Sequence, residues 1–270
     1  MGRHHCGVPF DDDITAFYDR GEEDGRLRSW GRLEFIRTQE LLARFLPPAP
    51  AVVLDVGGGP GAYAAWLAGL GYQVHLLDPV DLHVAQARDL GVTASAGDAR
   101  SLPFADASAD AVLVLGPLYH LVDADDRMRA LAEARRVLRP GGVLAAAAIS
   151  RFASTIDGLQ KGYMTAPEFE RNVERVLDGG AHANPDRHAG WFTTAYMHIP
   201  DDLAREVRDA GFSLAALLAV EGVGQWLADF DDWVDDPARR EVLLRAIRRV
   251  EAEPSLLGAS PHLLAVGTNP

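Results

Sequence analysis

Between an apolar run, Val52–Val56, and a run of good helix formers from Ala62 lie Gly57, Gly58, Gly59, Pro60 and Gly61. Few structures accommodate such a stretch other than a buried strand that turns sharply into a helix. Glycines take positive φ without strain and let the backbone come close to a ligand. The helix start behind them offers free N–H groups and a positive dipole end. In open α/β sheets, ligands bind beyond the carboxyl ends of the strands, where the strand order reverses. The turn therefore predicts a nucleoside-containing cofactor.

The rest of the chain repeats that rhythm. Leu33, Ile36, Leu41, Leu42 and Phe45 predict a helix over 33–46, stopped by Pro47, Pro48 and Pro50. After the first strand come a helix over 62–70, a strand over 74–77, a helix over 84–90 and a weak strand over 92–96. A wholly apolar strand over 111–115 follows, then a helix over 125–138 closed by Pro140, Gly141 and Gly142, then a strand over 143–149. Alternating strands and helices imply a parallel sheet with helices on both faces. Residues 201–210 read as a helix, 212–220 as a strand, 226–250 as helical with a break at 235–237, and 262–266 as a last strand. Residues 1–30 show nothing that looks like core. Residues 151–199 collect aromatics and histidines without long apolar runs, which predicts an insertion capping the sheet. The expected division is 1–150 for lid helices and cofactor half, 151–199 for a substrate-capping insertion, and 200–270 for the elements completing the sheet.

Charge narrows the function. Lys and Arg number 26 against 39 Asp and Glu, a net −13. Nucleic-acid binders cluster cations against phosphates. The densest basic stretch here, Arg239–Arg249, alternates with apolar residues at helical spacing and reads as a solvated helix face. No nucleic acid and no membrane is expected as partner. A lone cysteine, Cys6, cannot build a disulfide framework, and no signal-peptide pattern or long apolar run stands out, so a cytoplasmic location is expected.

Glycines alone do not select the cofactor, since Gly57, Gly59 and Ala62 also fit the dinucleotide spacing. The acids discriminate. Asp55 precedes the turn, Asp78 ends the second strand where ribose hydroxyls would lie, and Asp98 follows the third, in reach of an adenine amino group. An anionic site suits a cationic sulfonium better than a pyrophosphate. Taken in order, Val53–Gly61, Leu76–Pro79, Gly97–Ala99, Ala109–Gly116 and Val137–Gly142 resemble the class I S-adenosylmethionine-dependent methyltransferase family, closely over about residues 33–150. Pro60 is a departure that removes none of the three glycines.

The resemblance implies a Rossmann-like, seven-stranded, mostly parallel sheet whose last strand is antiparallel, with amino-terminal lid helices. It implies S-adenosylmethionine as cofactor. Gly57, Gly59 and Gly61 would face its methionine part, and Asp55 would bond the turn or the amino group. Asp78 would hold the ribose, Pro79 the adenine face, and Asp98 and Ala99 the adenine edge. Leu115 and Gly116 would lie beneath the methionyl chain, while Arg37 and Tyr18 would meet the carboxylate and close the site, with Arg26 a further cation in the leading segment.

On the acceptor side, Gly116–Leu121 follows the fourth strand and would emerge beside the methyl group. His120 is the expected base, since an ordinary histidine titrates near neutrality, and Tyr119 would orient the acceptor. The cap offers Trp191, Tyr196 and His198, suited to an apolar or aromatic acceptor and equally to an ordinary small core under a lid; His182 and His188 read as surface residues. No histidine has companions at zinc spacing, so no metal is expected. The expected function is methyl transfer to oxygen or nitrogen of a small molecule, a specialised metabolite, by a monomer or homodimer. An NAD(P)-dependent oxidoreductase and a non-catalytic S-adenosylmethionine-binding protein are the alternatives.

Overall fold

The computed structural model describes residues 12–21 and 23–270; Cys6 lies outside them. Two short helices, α1 (Asp12–Tyr18) and α2 (Glu23–Arg26), lead into α3 (Arg32–Phe45). The sheet half then runs β1 (Val52–Val56), α4 (Ala62–Gly69), β2 (Gln73–Asp78), α5 (Asp81–Asp89), β3 (Thr93–Ala96), β4 (Ala109–Val114), α6 (Pro117–His120), α7 (Ala124–Val137) and β5 (Leu138–Ile149). Next come α8 (Ala153–Gln160), α9 (Pro167–Gly179), β6 (Ala181–His182) and β7 (Ala195–Tyr196). The chain closes with α10 (Pro200–Asp209), β8 (Ser213–Ala219), α11 (Phe230–Asp235), α12 (Pro237–Val250), α13 (Pro254–Leu257) and β9 (His262–Thr268).

Seven strands form one sheet in the order β3-β2-β1-β4-β5-β9-β8. The first five pair parallel, and only β9 runs against its neighbours. Strand order reverses between β1 and β4, so the glycine turn sits at the switch point. Successive side chains of a strand point to opposite faces. Leu54, Val56, Val112 and Leu144 therefore pack against Leu131 of α7 and Leu203 and Val207 of α10. Val53, Ala111, Leu113 and Ala145 pack against Leu41 and Leu42 of α3 and Leu67 of α4.

Three elements depart from expectation. β5 begins at Leu138, before the Pro-Gly-Gly that was to separate helix from strand, because Leu138 already pairs with Ala109. The lead segment contributes core after all: Ile14 is fully buried and Leu27 nearly so. Residues 151–199 leave and rejoin the body at one point, where Ser150 bridges His198 beside the end of β5. They carry their own small core of Phe169, Val173 and Val176 on α9.

Candidate active site

Along the carboxyl ends of the strands runs a cavity of about 360 Å³, within the usual small-molecule range of roughly 300–1,000 Å³. Its walls extend from Asp98 after β3, past the glycine turn, to Leu264 and His262 on β9. Tyr18, Arg26 and Leu27 of the lead segment form part of the wall.

The turn uses its glycines in three ways. Gly57, Gly59 and Gly61 all have positive φ, at +68°, +57° and +92°. A Cβ on Gly57 would strike the Pro117 ring, whereas one on Gly59 would meet nothing within 4 Å. The open side of Gly59 is thus where a ligand can lie against backbone. Gly61 does not line the cavity; a Cβ there would press on Ala87 of α5, so its role is to let α4 and α5 approach.

Asp78 braces this turn. Its Oδ2 accepts from Gly59 N–H at 2.9 Å, and its Oδ1 from Val80 N–H at 2.9 Å and from His83 Nδ1 at 3.1 Å. Asp55 is fully buried below Gly58, and neither carboxylate oxygen has a partner. Burial, with Asp78 adding repulsion, pushes its carboxyl up to about 7. Asp98 lines the cavity but is held by Arg100 through its backbone N–H at 2.8 Å and its guanidinium at 2.6 Å. Pro79, Ala99, Leu115 and Gly116 all line the cavity, as the sequence motifs imply.

Arg37 does not reach this site. It is completely buried, donating to Val220 O at 3.0 Å and to Glu251 and Glu40 at 2.5 Å each. Two other arginines line the cavity: Arg26, forked onto both oxygens of Glu34 and paired with Glu23 at 2.8 Å, and Arg28, 3.6 Å from Asp24. Sequence alone does not separate Arg26 from Arg37, since the partner that removes Arg37 is more than two hundred residues away.

The proposed acid–base group is also engaged. Tyr18 Oη lies 2.7 Å from His120 Nε2, and His120 Nδ1 lies 3.4 Å from Thr194 O. With the proton on Nδ1, the imidazole accepts from tyrosine and donates to the carbonyl. Burial pushes His120 down to about 4, so it stays neutral. Tyr119 stands in the same wall, its phenol raised by burial. Tyr18 also meets the edge of His83, so one contact chain joins Asp78, His83, Tyr18 and His120.

His198 is elsewhere. It is wholly buried, with Nε2 3.2 Å from Glu206, which itself grips Arg127 through both oxygens. Tyr196 covers that arginine, 3.7 Å from ring centroid to guanidinium. Trp191 packs on Phe169 and His188. Among the described residues, none of the segment 151–199 lines the cavity; Phe192 only packs behind Tyr119 and His120. His182, expected at the surface, is buried, with Nδ1 3.0 Å from Thr193 O.

At the β9 end lies a cluster that the sequence did not single out. His262 Nδ1 is 2.5 Å from Glu221 Oε1, and Glu34 lies 3.9 Å from the same nitrogen. The acids and histidine converge within 4.8 Å. Burial disfavours charge on His262, but Glu221 and Glu34 outweigh it and raise the imidazole to about 9. Burial likewise opposes ionisation of Glu34, but Arg26 and His262 hold it down to about 2. Glu34 and Glu221 thus face the Arg26 guanidinium and a protonated imidazole.

A family described as a methyltransferase domain matches residues 54–146. The methyltransferase GfsG of Streptomyces halstedii is 31% identical over 231 residues, spanning 77% of this chain and 78% of that one. An uncharacterized methyltransferase of Mycobacterium sp. (strain JLS) is 33% identical over 183 residues, 67% of this chain and 62% of that one. The crystal structure of a methyltransferase from Thermotoga maritima, titled a possible histamine N-methyltransferase, superposes with a TM-score of 0.60 at 21% identity. That match covers 95% of this chain and all of that one.

Proposed function

The chain belongs to the class I S-adenosylmethionine-dependent methyltransferase family, and we propose that it carries the donor's methyl group to an oxygen or nitrogen of a small-molecule acceptor. The observation that carries this reading is one cavity with two unlike ends. One end has Asp78 and Asp98 beside an open glycine turn; the other has apolar Ala147 and Leu264 and the His262 cluster. The residues fit a cationic donor. Gly59 leaves its free side toward the space, and Asp55 is a buried carboxylate with no protein counter-charge.

When bound, the donor supplies a methyl carbon activated by a positively charged sulfur. The chain's own work is placement, which accounts for much of the acceleration of such displacements. Asp78 fixes the turn through Gly59 N–H and keeps a lone pair on Oδ2 for a ribose hydroxyl. Asp98 and Ala99 take the adenine edge, Pro79 its face, and Leu115 and Gly116 the methionyl chain. Arg26 replaces Arg37 as the cation for the carboxylate. Tyr18, Tyr119 and His120 exclude water and shape the acceptor's seat. A small acceptor is supported by the charge of −13 and by a cavity whose walls carry more acids than cations instead of a basic groove.

Calorimetry with S-adenosylhomocysteine tests the site. Asp78→Ala should weaken binding at least about tenfold, because a charge-assisted hydrogen bond to the ribose is lost and the turn loses its brace at Gly59. Unchanged affinity would remove Asp78 from the donor site. A labelled-methyl screen against phenols, acids and amines then identifies the atom that is methylated.

A further inference from the structure

The acceptor's proton needs somewhere to go, and His120 is poorly placed to take it. Both its nitrogens are engaged, by Tyr18 and Thr194, and the ring is fully enclosed. The cavity holds two other imidazoles, and His83 stands on Asp78 at the donor end, which leaves His262 for the far end. His262 lines it with 22% of its side chain exposed, and Nε2 has no hydrogen-bond partner among the described residues. The opposite nitrogen, Nδ1, is fixed by Glu221. That carboxylate is itself pinned, accepting from Ser260 Oγ at 3.0 Å and from the His262 N–H at 3.1 Å. An imidazole oriented by a buried carboxylate, with its far nitrogen open to a substrate space, is the arrangement of a general base and its orienter.

Position agrees. The nucleoside end of the cavity lies at β2 and β3, and Leu115 and Gly116 mark β4. From β4 the sheet continues through β5 to β9, with Ala147 opposite Leu264 and Ile149 opposite His262. Two strand spacings, roughly 10 Å, separate β4 from β9. A donor with its sulfur over β1 and β4 leaves that interval for the acceptor, and His262 stands on its far side. Among the described residues, no other histidine with a free ring nitrogen lines this space away from the donor end: His198 is sealed with Glu206, and the groove beside Trp191 opens to solvent on the cap.

We propose that His262, held by Glu221, is the group that receives the acceptor's proton. The proposal rests on the methyltransferase reading above. As the acceptor's lone pair forms its bond to the methyl carbon, the carbon–sulfur bond breaks with its electrons kept by sulfur. The acceptor's O–H or N–H proton passes to Nε2, while Nδ1–H stays on Glu221. The groups facing His262 are Glu221 from the segment after β8, Glu34 from α3 and Arg26 from α2. Their net effect keeps the resting ring protonated, and a protonated ring cannot accept. A positive sulfur brought near favours loss of that proton, so the fraction of rings able to accept grows with the donor bound and as pH rises toward 9.

The test needs no acceptor. The His262 ring is titrated by NMR, assigned by the signal lost in His262→Gln, in complexes with S-adenosylmethionine and with S-adenosylhomocysteine. The two ligands differ by a methyl group and a positive charge at sulfur. The expected midpoint is at least about half a pH unit lower with S-adenosylmethionine, since a charge within 10 Å of a partly buried group is felt at that level. Glu221→Gln should lower the midpoint in both complexes. Equal midpoints with the two ligands would place His262 too far from sulfur and overturn the proposal. An at least tenfold loss of S-adenosylhomocysteine affinity in His262→Gln would also overturn it, assigning the ring to the donor. Absence of S-adenosylhomocysteine binding by the unmutated chain would instead fail the donor site itself.

Discussion

Asp55 is the residue whose environment disagrees most with its chemistry. A carboxyl raised to about 7 in the folded chain, against roughly 4 unfolded, opposes folding increasingly as pH climbs between those values. Asp55→Asn should therefore stabilise the chain by a few kcal/mol more at pH 8 than at pH 4, by thermal denaturation. The cost of an unbonded buried amide is the same at both pH values and cancels in the difference. The same substitution should weaken S-adenosylmethionine more than S-adenosylhomocysteine, because only the former adds a positive charge at sulfur for Asp55 to balance. A pH-independent effect on stability would mean that Asp55 is solvated or paired. Asp55, Asp78 and Asp98 were legible because each sits at a strand end fixed by local pattern. Arg26 and Arg37 were not distinguishable, because Glu34 and Glu251 decide between them through tertiary packing. His262 was passed over because its partner, Glu221, stands on another connection, brought close only when β8 and β9 pair.

At the scale of elements, the strands were legible wherever apolar residues ran together, and α3 and α12 wherever they recurred at helical spacing. The aromatic segment 151–199 admits two readings, because aromatics around a cavity and aromatics in a small core have one composition, and the structure gives it the small core. Its return path is fixed instead by a buried charge network. Arg127 of α7 forks onto Glu206 of α10, donates to Leu121 O at 2.9 Å and Val122 O at 2.8 Å, and lies against Tyr196 of β7. Removing one member of a buried pair strands the other charge, at about 3–5 kcal/mol. Glu206→Gln should approach that loss in urea denaturation and should loosen the 151–199 segment to proteolysis first. His198 should then titrate more acidly, since burial already lowers it and Glu206, more than Asp202, opposes that. Unchanged stability would show that water reaches Arg127.

The whole molecule combines these groups into one pH profile. Glu34 and Glu206 are held at about 2, so what they contribute is complete above roughly pH 4.5 and is lost as pH falls through 2. His262, raised to about 9, contributes fully below roughly pH 6.5 and loses that contribution as pH rises through 9. Its shift corresponds to at most roughly 3 kcal/mol. Asp55 subtracts between about 4 and 7. His120 and His182, lowered by burial to about 4, cost stability below roughly pH 6.5 and outweigh Asp55 there. Stability should consequently peak near roughly pH 6.5 and decline toward pH 9, where the chain also carries its greatest negative charge. The decline has a structural address. His262 and Arg26 face Glu34 on α3, so deprotonating the imidazole loosens the lead segment from β9 and from the segment after β8. Melting temperatures across pH 4 to 10 check this. His262→Gln should be flatter between pH 7 and 10 than the unmutated chain. A parallel decline in both proteins would assign the alkaline limb to general charge repulsion and not to this cluster.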